Sequence, residues 1–174
     1  NIWLQFDKKD LPVYKDYELI GVPDGFKFNL GGDYEIEVVW TAGHASGHAM
    51  FIDKKGRTLF AGDDVCSDVI GCGSGPRTGT FYGEYRNLTS YRDCLTRLVE
   101  RLDEFDYMFP GHFMVNLENN LLLNILETLN EIIADPGGYD YAIGRDDGNK
   151  RMHKFIKGFG TIAYTENGVY PPKV

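Results

Sequence analysis

Alternating apolar and polar positions in the first third of the chain predict β-strands. Apolar side chains fill every second position in 26–30 and again in 34–40, and Gly31-Gly32-Asp33 separates the two runs. This alternation is typical of strands with one buried face and one face in water. Two further apolar runs, 50–53 and 58–61, are joined by a short polar turn, which predicts an antiparallel pair.

Apolar residues at three- and four-residue steps predict two helices, one over 88–105 and one over 117–134. Ser90 followed by Asp93 is a start signal for the first helix, and the second ends before Asp135-Pro136-Gly137-Gly138. We expect both helices to pack on one face of a sheet. Their apolar positions are Leu88, Tyr91, Leu95, Leu98, Leu102 and Phe105 in the first helix, and Leu122, Ile125, Leu126, Leu129 and Ile133 in the second.

Three more β-segments complete the pattern. Residues 107–109 form a short apolar run that stops at Pro110-Gly111-His112, and 161–165 and 169–170 flank Asn167-Gly168. Asn-Gly is the preferred pair in tight hairpin turns, so a C-terminal hairpin is expected there. Together the elements predict a mixed α/β fold, an α+β mixed sheet in one domain over 1–174.

Composition and charge narrow the class of function. The net charge of the 174 residues is −8, whereas a protein that binds nucleic acid through phosphate contacts is usually basic. No apolar stretch is long enough for a bilayer, and the start lacks the layout of a signal peptide, so we expect a cytoplasmic protein with no membrane partner. The three cysteines have no spacing that suggests a disulfide framework.

Candidate chemistry lies where three apolar strands end. His44, Asp63 and His112 each follow a glycine directly after such a run. Neighbouring strand ends in one sheet can bring side chains to a single point, and imidazole and carboxylate groups are metal ligands. Taken by residue type alone, hydrogen-bonded structural histidines and a turn aspartate are the more common interpretations of such residues.

Three segments, in this order along roughly 20–135, resemble motifs of the metallo-β-lactamase superfamily. That superfamily typically has a Thr-Pro-Gly-His-x-x-Gly segment, a Leu-Phe-x-Gly-Asp segment and a Pro-Gly-His segment, with helices between the last two. Ala42 stands where the first motif usually has proline. The corresponding segments here are Thr41-Ala42-Gly43-His44-Ala45-Ser46-Gly47-His48, Leu59-Phe60-Ala61-Gly62-Asp63 and Phe109-Pro110-Gly111-His112.

The resemblance implies a metal-dependent hydrolase. His44 would bind a first metal ion, His112 a second, and Asp63 would bridge the two and serve as the catalytic carboxylate. Two zinc ions are implied, with iron or manganese as other metals that such ligands accept. A hydroxide between the ions would attack an ester, thioester, lactone or phosphoester. An aspartate at position 63 argues against a typical zinc β-lactamase, which often has cysteine there.

One family signature is absent, because the sequence contains no His-x-His-x-Asp-His segment. That segment normally lies in the first half of the αββα sandwich, so the resemblance covers the C-terminal half only. We therefore expect 1–174 to be a single, incomplete domain whose N-terminal half lies outside these residues. A sheet face that normally packs against that half would be exposed, and the chain would be stable only with the missing half or a second copy.

Other polar residues receive secondary interpretations. His48 is interpreted as a structural histidine near the site, His153 as a solvated surface residue among Lys150, Arg151 and Lys154, and Asp64 as pointing away from the site. A loop after Asp63 carries four residues that either orient an anionic small-molecule substrate or are ordinary solvent-exposed residues. These four are Arg77, Tyr82, Tyr85 and Arg86.

Two other functions stay open. The chain could be a non-catalytic half-domain that acts by protein association, or a protein in which His44, Asp63 and His112 hold one metal ion. The number of metal ions bound separates these hypotheses: two favour the binuclear hydrolase, one the mononuclear site, and none the association module. The sequence does not indicate the substrate.

Overall fold

The computed structural model describes residues 16, 18–66, 68–73, 87–144 and 150–171. Within these ranges no helix is long and apolar enough to cross a membrane. The helices are α1 (Leu88–Val99) and α2 (Leu121–Ala134). The strands are β1 (Lys27–Gly31), β2 (Tyr34–Trp40), β3 (Ala49–Asp53), β4 (Thr58–Gly62), β5 (Val69–Gly71), β6 (Tyr107–Pro110), β7 (Leu117–Glu118), β8 (Tyr141–Gly144), β9 (Lys150–Phe155) and β10 (Thr161–Tyr164).

The strands form two sheets, where the sequence predicts one. The larger sheet has the order β1-β2-β3-β4-β6-β7, and the smaller has the order β5-β10-β9-β8. All pairs in the larger sheet are antiparallel except β4 and β6, which run parallel with α1 in the connection between them. The mixed α/β class and the predicted antiparallel pair β3–β4 are confirmed, and β1 and β2 are also antiparallel.

One face of the larger sheet and one stripe of each helix form the core. Met50 and Ile52 of β3 alternate with exposed Phe51, and Leu59 and Ala61 of β4 alternate with exposed Phe60. Burial of each large apolar side chain contributes roughly 1.5–3 kcal/mol, which makes this layer the main source of stability. The helix residues of the core are Leu88, Tyr91, Leu95 and Leu98 of α1 and Leu121, Leu122, Ile125, Leu129 and Ile132 of α2.

The opposite face of the larger sheet exposes aromatic side chains. Phe51, Phe60 and Phe109 are cross-strand partners on β3, β4 and β6 and form what we term the phenylalanine row. The rings of Phe60 and Phe109 lie 5.9 Å apart, and Phe60 retains 43% of its accessible surface. An exposed sheet face is what the sequence predicts for this chain, and the phenylalanine row is such a face.

Both predicted helices form, but each has a different start or end. The α1 helix begins at Leu88 because the Asn87 side chain accepts a hydrogen bond from the Ser90 N–H, so the Ser90-Asp93 start signal is wrong. It ends at Val99, and a 3-10 turn at Leu102–Glu104 follows. The predicted start of the second helix at 117 is also wrong, because Leu117 pairs with Met108 as part of β7.

The predicted C-terminal hairpin is wrong. Asn167-Gly168 lies in a 3-10 turn over Glu166–Gly168, and Val169 is buried in the core. The β10 strand is central in the smaller sheet, with β5 on one side and β9 on the other, so no edge remains for 169–170 to pair with it. The hairpin partner of β10 is instead β9, which pairs Thr161 with Phe155.

His153 is buried, which corrects its interpretation as a surface residue. It lies on β9 with 4% of its surface exposed, and its Nδ1 lies 3.1 Å from the Thr161 hydroxyl. Its ring stacks on Tyr141 of β8, with 4.5 Å between ring centroids. The neighbouring Lys150, Arg151 and Lys154 suggest a solvated strand. His153 is buried nevertheless, because β8 pairs with β9 and places Tyr141 against its ring.

The burial of His153 predicts a pH-dependent contribution to stability. Burial, and to a smaller extent the charge of Arg151, lower the pKa of His153 below its ordinary value near 6.5. The unfolded chain therefore binds a proton below about pH 6.5 that the folded chain does not bind, and the free energy of unfolding falls as the pH drops through that value. For His153→Gln we expect a flatter dependence between about pH 6.5 and 5 in chemical denaturation. Identical slopes for both proteins would contradict this expectation.

Candidate metal centre

The three candidate ligands lie at one edge of the larger sheet because of strand direction. The β2 strand is antiparallel to β3, and β3 is antiparallel to β4, so β2 and β4 point the same way. The β6 strand is parallel to β4. The carboxyl ends of these three strands therefore meet at one edge, where His44, Asp63 and His112 follow them.

Asp63 lies between the two histidines. The Nε2 atom of His112 is 3.2 Å from Asp63 Oδ1, and the Nε2 atom of His44 is 3.8 Å from Asp63 Oδ2. Each imidazole thus faces a different oxygen of one carboxylate. The side chains of His44, Asp63 and His112 expose 45%, 34% and 57% of their surface, so solvent and small molecules reach the cluster.

The orientation of His44 is set by two hydrogen bonds outside the cluster. Its backbone N–H donates to Asp64 Oδ1, and its Nδ1 lies 2.8 Å from the carbonyl oxygen of Gly71. A carbonyl only accepts, so Nδ1 carries the proton and a neutral His44 has its lone pair on Nε2. That lone pair faces Asp63 Oδ2, which is also an electron-pair donor. A cation bound between His44 Nε2 and Asp63 Oδ2 would turn this repulsion into attraction.

Glycines allow the strand ends to approach closely. The Gly111 N–H donates to the carbonyl of Gly62 at 2.8 Å, which joins the ends of β6 and β4. A Cβ atom at Gly111 would lie 2.2 Å from Asp63 Oδ1, and Gly62 has a φ of +54°, in the left-handed region that favours glycine. Asp63 can therefore occupy its position only because position 111 has no side chain.

The donor set fits a metal centre that further ligands complete. Zinc bonds of about 2.0–2.1 Å at tetrahedral angles place neighbouring ligand atoms about 3.3 Å apart, close to the His112–Asp63 distance. The His44–Asp63 distance is wider by about half an ångström on the same scale. Among the described residues, no group of three or more His, Cys, Asp or Glu side chains is arranged so that it could hold a metal ion by itself. The cluster thus offers two histidine–carboxylate pairs that share Asp63.

His48 is held beside the cluster and has no lone pair for a metal. Its Nε2 accepts the backbone N–H of Asp63 at 3.0 Å, and its Nδ1 lies 3.1 Å from Asp64 Oδ2. Burial lowers the pKa of His48. The hydrogen bond and charge of Asp64, together with the charge of Asp63, raise the pKa by more than burial lowers it, so the net shift is upward. The interpretation of His48 as a structural residue near the site agrees with these contacts.

Asp64 is a functional candidate that the sequence pattern missed. Its side chain is fully buried beneath the cluster and accepts a hydrogen bond from the Thr41 hydroxyl in addition to those from His44 and His48. Two consecutive aspartates after an apolar strand are a usable signal, because alternation sends one of the two side chains inward. The sequence interpretation leaves Asp64 outside the site, whereas its buried side chain contacts the His44 backbone N–H and His48 Nδ1.

Groups that could orient an anionic substrate are expected from the sequence in the loop after Asp63. Arg77, Tyr82, Tyr85 and Arg86 lie outside the described residues. Arg151 of β9 is nearer to the cluster than its sequence position suggests. A Cβ atom at Gly71, whose carbonyl accepts from His44, would lie 2.5 Å from an Arg151 guanidinium nitrogen and 3.8 Å from His44 Nδ1.

Ala42, which stands where the family motif has proline, has a backbone conformation that proline cannot adopt. Its φ is +46°, and its N–H donates to the carbonyl of His48 at 3.1 Å. Proline has φ near about −65° and no N–H. We expect Ala42→Pro to lower the free energy of unfolding by more than about 1 kcal/mol in chemical denaturation.

Ala42→Gly is the matched control for this prediction. It relieves left-handed strain of about 1–2 kcal/mol but costs chain entropy and the fully buried Ala42 methyl, worth about 0.8 kcal/mol, so a stability close to that of the parent is expected. A proline variant as stable as the parent would show that the loop does not need the left-handed residue.

Comparisons with known proteins support the fold only. No family model matches the chain, and no curated protein matches it. A metallo-β-lactamase family protein from Thermus thermophilus is 23% identical over 72% of this chain, with a TM-score of 0.47. A metallo-β-lactamase from Pontibacter korlensis is 20% identical over 63%, with a TM-score of 0.46. An archaeal superfamily protein from Sulfolobus tokodaii is 21% identical over 73%, with a TM-score of 0.44.

The similarity to these structures is partial on both sides. The chain spans 40%, 47% and 43% of their respective lengths. The described residues form two sheets and two helices in a mixed α/β fold, as the strand order and element order of this chain show.

Proposed function

We propose that this chain contributes to a metal-dependent hydrolase in which His44, Asp63 and His112 bind two divalent ions, with zinc as the first metal to test. The observation that carries the proposal is the position of Asp63, whose two carboxylate oxygens face the Nε2 atoms of two different histidines. A carboxylate in that position can bridge two cations, each with one imidazole ligand.

The proposed chemistry is hydrolysis of an ester, thioester, lactone or phosphoester. When bound, divalent ions acidify coordinated water and stabilise the charge that develops on a carbonyl or phosphoryl group. In this chain, the Nδ1–H bond to Gly71 directs the His44 lone pair toward Asp63, and the exposed side of the cluster admits a substrate.

Three side chains are too few for two zinc ions, each of which takes about four ligands. We propose that a segment with further histidine and aspartate ligands packs over the phenylalanine row. Phe60 precedes Asp63 by three residues and Phe109 precedes His112 by three, so the row lies close to the cluster along both strands. At about 3.3 Å per residue, an element on the row would end within roughly 10 Å of the ligands.

The test is a zinc titration of the 174-residue chain, followed by histidine side-chain NMR. We expect weak binding that shifts the Nε2 resonances of His44 and His112 and leaves His153, buried on β9, unchanged. Negligible hydrolysis of ester and phosphoester substrates is expected for the chain alone. Adding a polypeptide that carries a His-x-His-x-Asp-His segment should tighten binding and bring the stoichiometry to two ions.

Three outcomes separate the proposal from its alternatives. A limiting stoichiometry of one ion with the added segment would favour the mononuclear site. Zinc that shifts neither His44 nor His112 would overturn the metal centre and leave association with another protein as the function to test. Binding of two ions without any hydrolysis would retain the metal centre and remove the hydrolase assignment.

A further inference from the structure

A buried carboxylate gathers the loop that carries His44. The Asp64 side chain has no exposed surface and accepts hydrogen bonds from the Thr41 hydroxyl, the Gly43 and His44 backbone N–H groups and His48 Nδ1. All four donors belong to one loop, 41–48, which approaches Asp64 from the end of β2. A buried carboxylate without such donors would cost several kcal/mol, so the loop and Asp64 need each other.

The anchor of Asp64 itself is on the first helix. The Tyr91 hydroxyl donates to the backbone carbonyl of Asp64, and Tyr91 is fully buried in the core. A Cβ atom at Gly43 would lie 2.5 Å from the Tyr91 ring and 2.7 Å from Asp64 Oδ1, so the loop packs directly on this pair. The network is therefore tied to rigid secondary structure, which is where support for a precise site is most effective.

Asp64 reaches both ends of the candidate metal centre. Toward His44 it accepts the backbone N–H, and toward Asp63 it acts through His48. Because Asp64 only accepts, the proton of neutral His48 lies on Nδ1, which leaves Nε2 free to accept the N–H of Asp63. The carboxylate thus determines the tautomer of a histidine whose other nitrogen holds a ligand residue by its backbone.

We propose that Asp64 is a positioning residue of the metal centre, which orients His44 through its backbone and Asp63 through the Nδ1–H tautomer of His48. Residues that hold metal ligands by hydrogen bonds commonly change metal affinity by about 10–100-fold when they are replaced. The metal-affinity part rests on the proposed function, whereas the tautomer of His48 is a property of the chain without metal.

Asp64→Asn is the sharpest test, because an amide has one acceptor and one donor. If its oxygen keeps the His44 N–H, its NH₂ donates to His48 Nδ1 and moves the histidine proton to Nε2, opposite the N–H of Asp63. If the amide takes the other orientation, the bond to the His44 N–H is lost. Either orientation breaks one link to a candidate ligand, whereas the size of the side chain is unchanged.

The readout without metal is long-range ¹H–¹⁵N NMR of His48 in mildly alkaline buffer, together with the amide resonances of His44 and Asp63. We expect the parent to show the Nδ1–H tautomer, and Asp64→Asn to show either Nε2–H or a displaced His44 amide. Thr41→Val is the comparison variant: it removes another donor to Asp64 and a second contact of His48 Nδ1, which lies 3.3 Å from the Thr41 hydroxyl oxygen, but keeps the Asp64 acceptor, so the Nδ1–H tautomer should persist. A parent with Nε2–H, or an asparagine variant with both features unchanged, would overturn the proposal.

The second readout is zinc affinity, for which we expect a roughly 10–100-fold loss in Asp64→Asn and a smaller change in Thr41→Val. Should Asp64→Asn fail to fold, His48→Phe tests the link to Asp63 alone, and an unchanged zinc affinity in that variant would count against the relay. If the parent binds no zinc, the proposed function fails while the tautomer result still decides the role of Asp64. If zinc binds equally to parent and folded Asp64→Asn, the metal centre stands and the positioning role fails.

Discussion

Replacing Asp63 with alanine is expected to abolish zinc binding to this chain. The substitution removes both oxygen atoms that face the Nε2 atoms of His44 and His112, and with them the only group that contacts both histidines among the described residues. Without zinc the change should be mild, because the Asp63 side chain is one-third exposed and lies outside the apolar core. The measurement is thermal or chemical unfolding with and without zinc, alongside direct titration.

Linkage gives the size of the expected difference. At a zinc concentration about 100 times the dissociation constant, the parent gains about 2.7 kcal/mol in the free energy of unfolding, and Asp63→Ala gains nothing. Asp33→Ala is the matched control: the Asp33 side chain is 88% exposed in the turn after β1 and pairs with Lys55, far from the cluster in the sheet order. Equal stabilisation of Asp63→Ala and the parent by zinc would remove Asp63 from the metal centre.

The positions of His44, Asp63 and His112 could be predicted because they depend on short-range rules. Each follows a glycine at the end of an apolar run. Alternating apolar and polar positions identify the strands, and the short turn between β3 and β4 predicts that these two strands are antiparallel neighbours. Once β2, β4 and β6 point the same way, their carboxyl ends meet without any further information. Their role as ligands is a separate matter and stays a prediction.

The support around these residues could not be predicted because it depends on distant parts of the chain. The Gly71 carbonyl that orients His44 comes from β5, a strand in the other sheet. The inward position of Asp64 matters only because the loop 41–48 turns back on it, and that turn needs the positive φ of Ala42. No local periodicity encodes either contact.

The errors at the C-terminal end have a related cause. Asn167-Gly168 is a strong local hairpin signal, but the pairing of β10 with both β5 and β9 overrides it. His153 has charged neighbours that suggest a surface strand, and it is buried because Tyr141 of β8 stacks on it. In both cases a strand that the sequence pattern did not predict takes the place in question. β9 lies beside β10 where the hairpin signal places 169–170, and β8 lies beside β9 where the charged neighbours suggest solvent.

Gly111→Ala is expected to disable the metal centre and leave the fold intact. A methyl group at this position would lie 2.2 Å from Asp63 Oδ1, far below van der Waals contact, so the carboxylate must move away from His112. The backbone of Gly111 is not in the left-handed region, so alanine adds no conformational strain of its own. The added Cβ would also lie 3.1 Å from the backbone carbon of Gly62 and 3.3 Å from the backbone nitrogen of Asp63, so the metal-free chain should unfold at somewhat lower stability. The larger loss should appear in zinc affinity and in the His112 resonances.

Gly47→Ala is the matched control, because Gly47 lies in the loop that carries His44 and a Cβ atom there would have no neighbour within 4 Å. Zinc binding by that variant should equal that of the parent. Comparing Gly111→Ala with Gly47→Ala shows whether zinc binding requires the Asp63 carboxylate at its observed position or tolerates a displaced carboxylate. If Gly111→Ala binds zinc as the parent does, the carboxylate has room to bind elsewhere, and the close approach of the β4 and β6 ends serves packing rather than the metal centre.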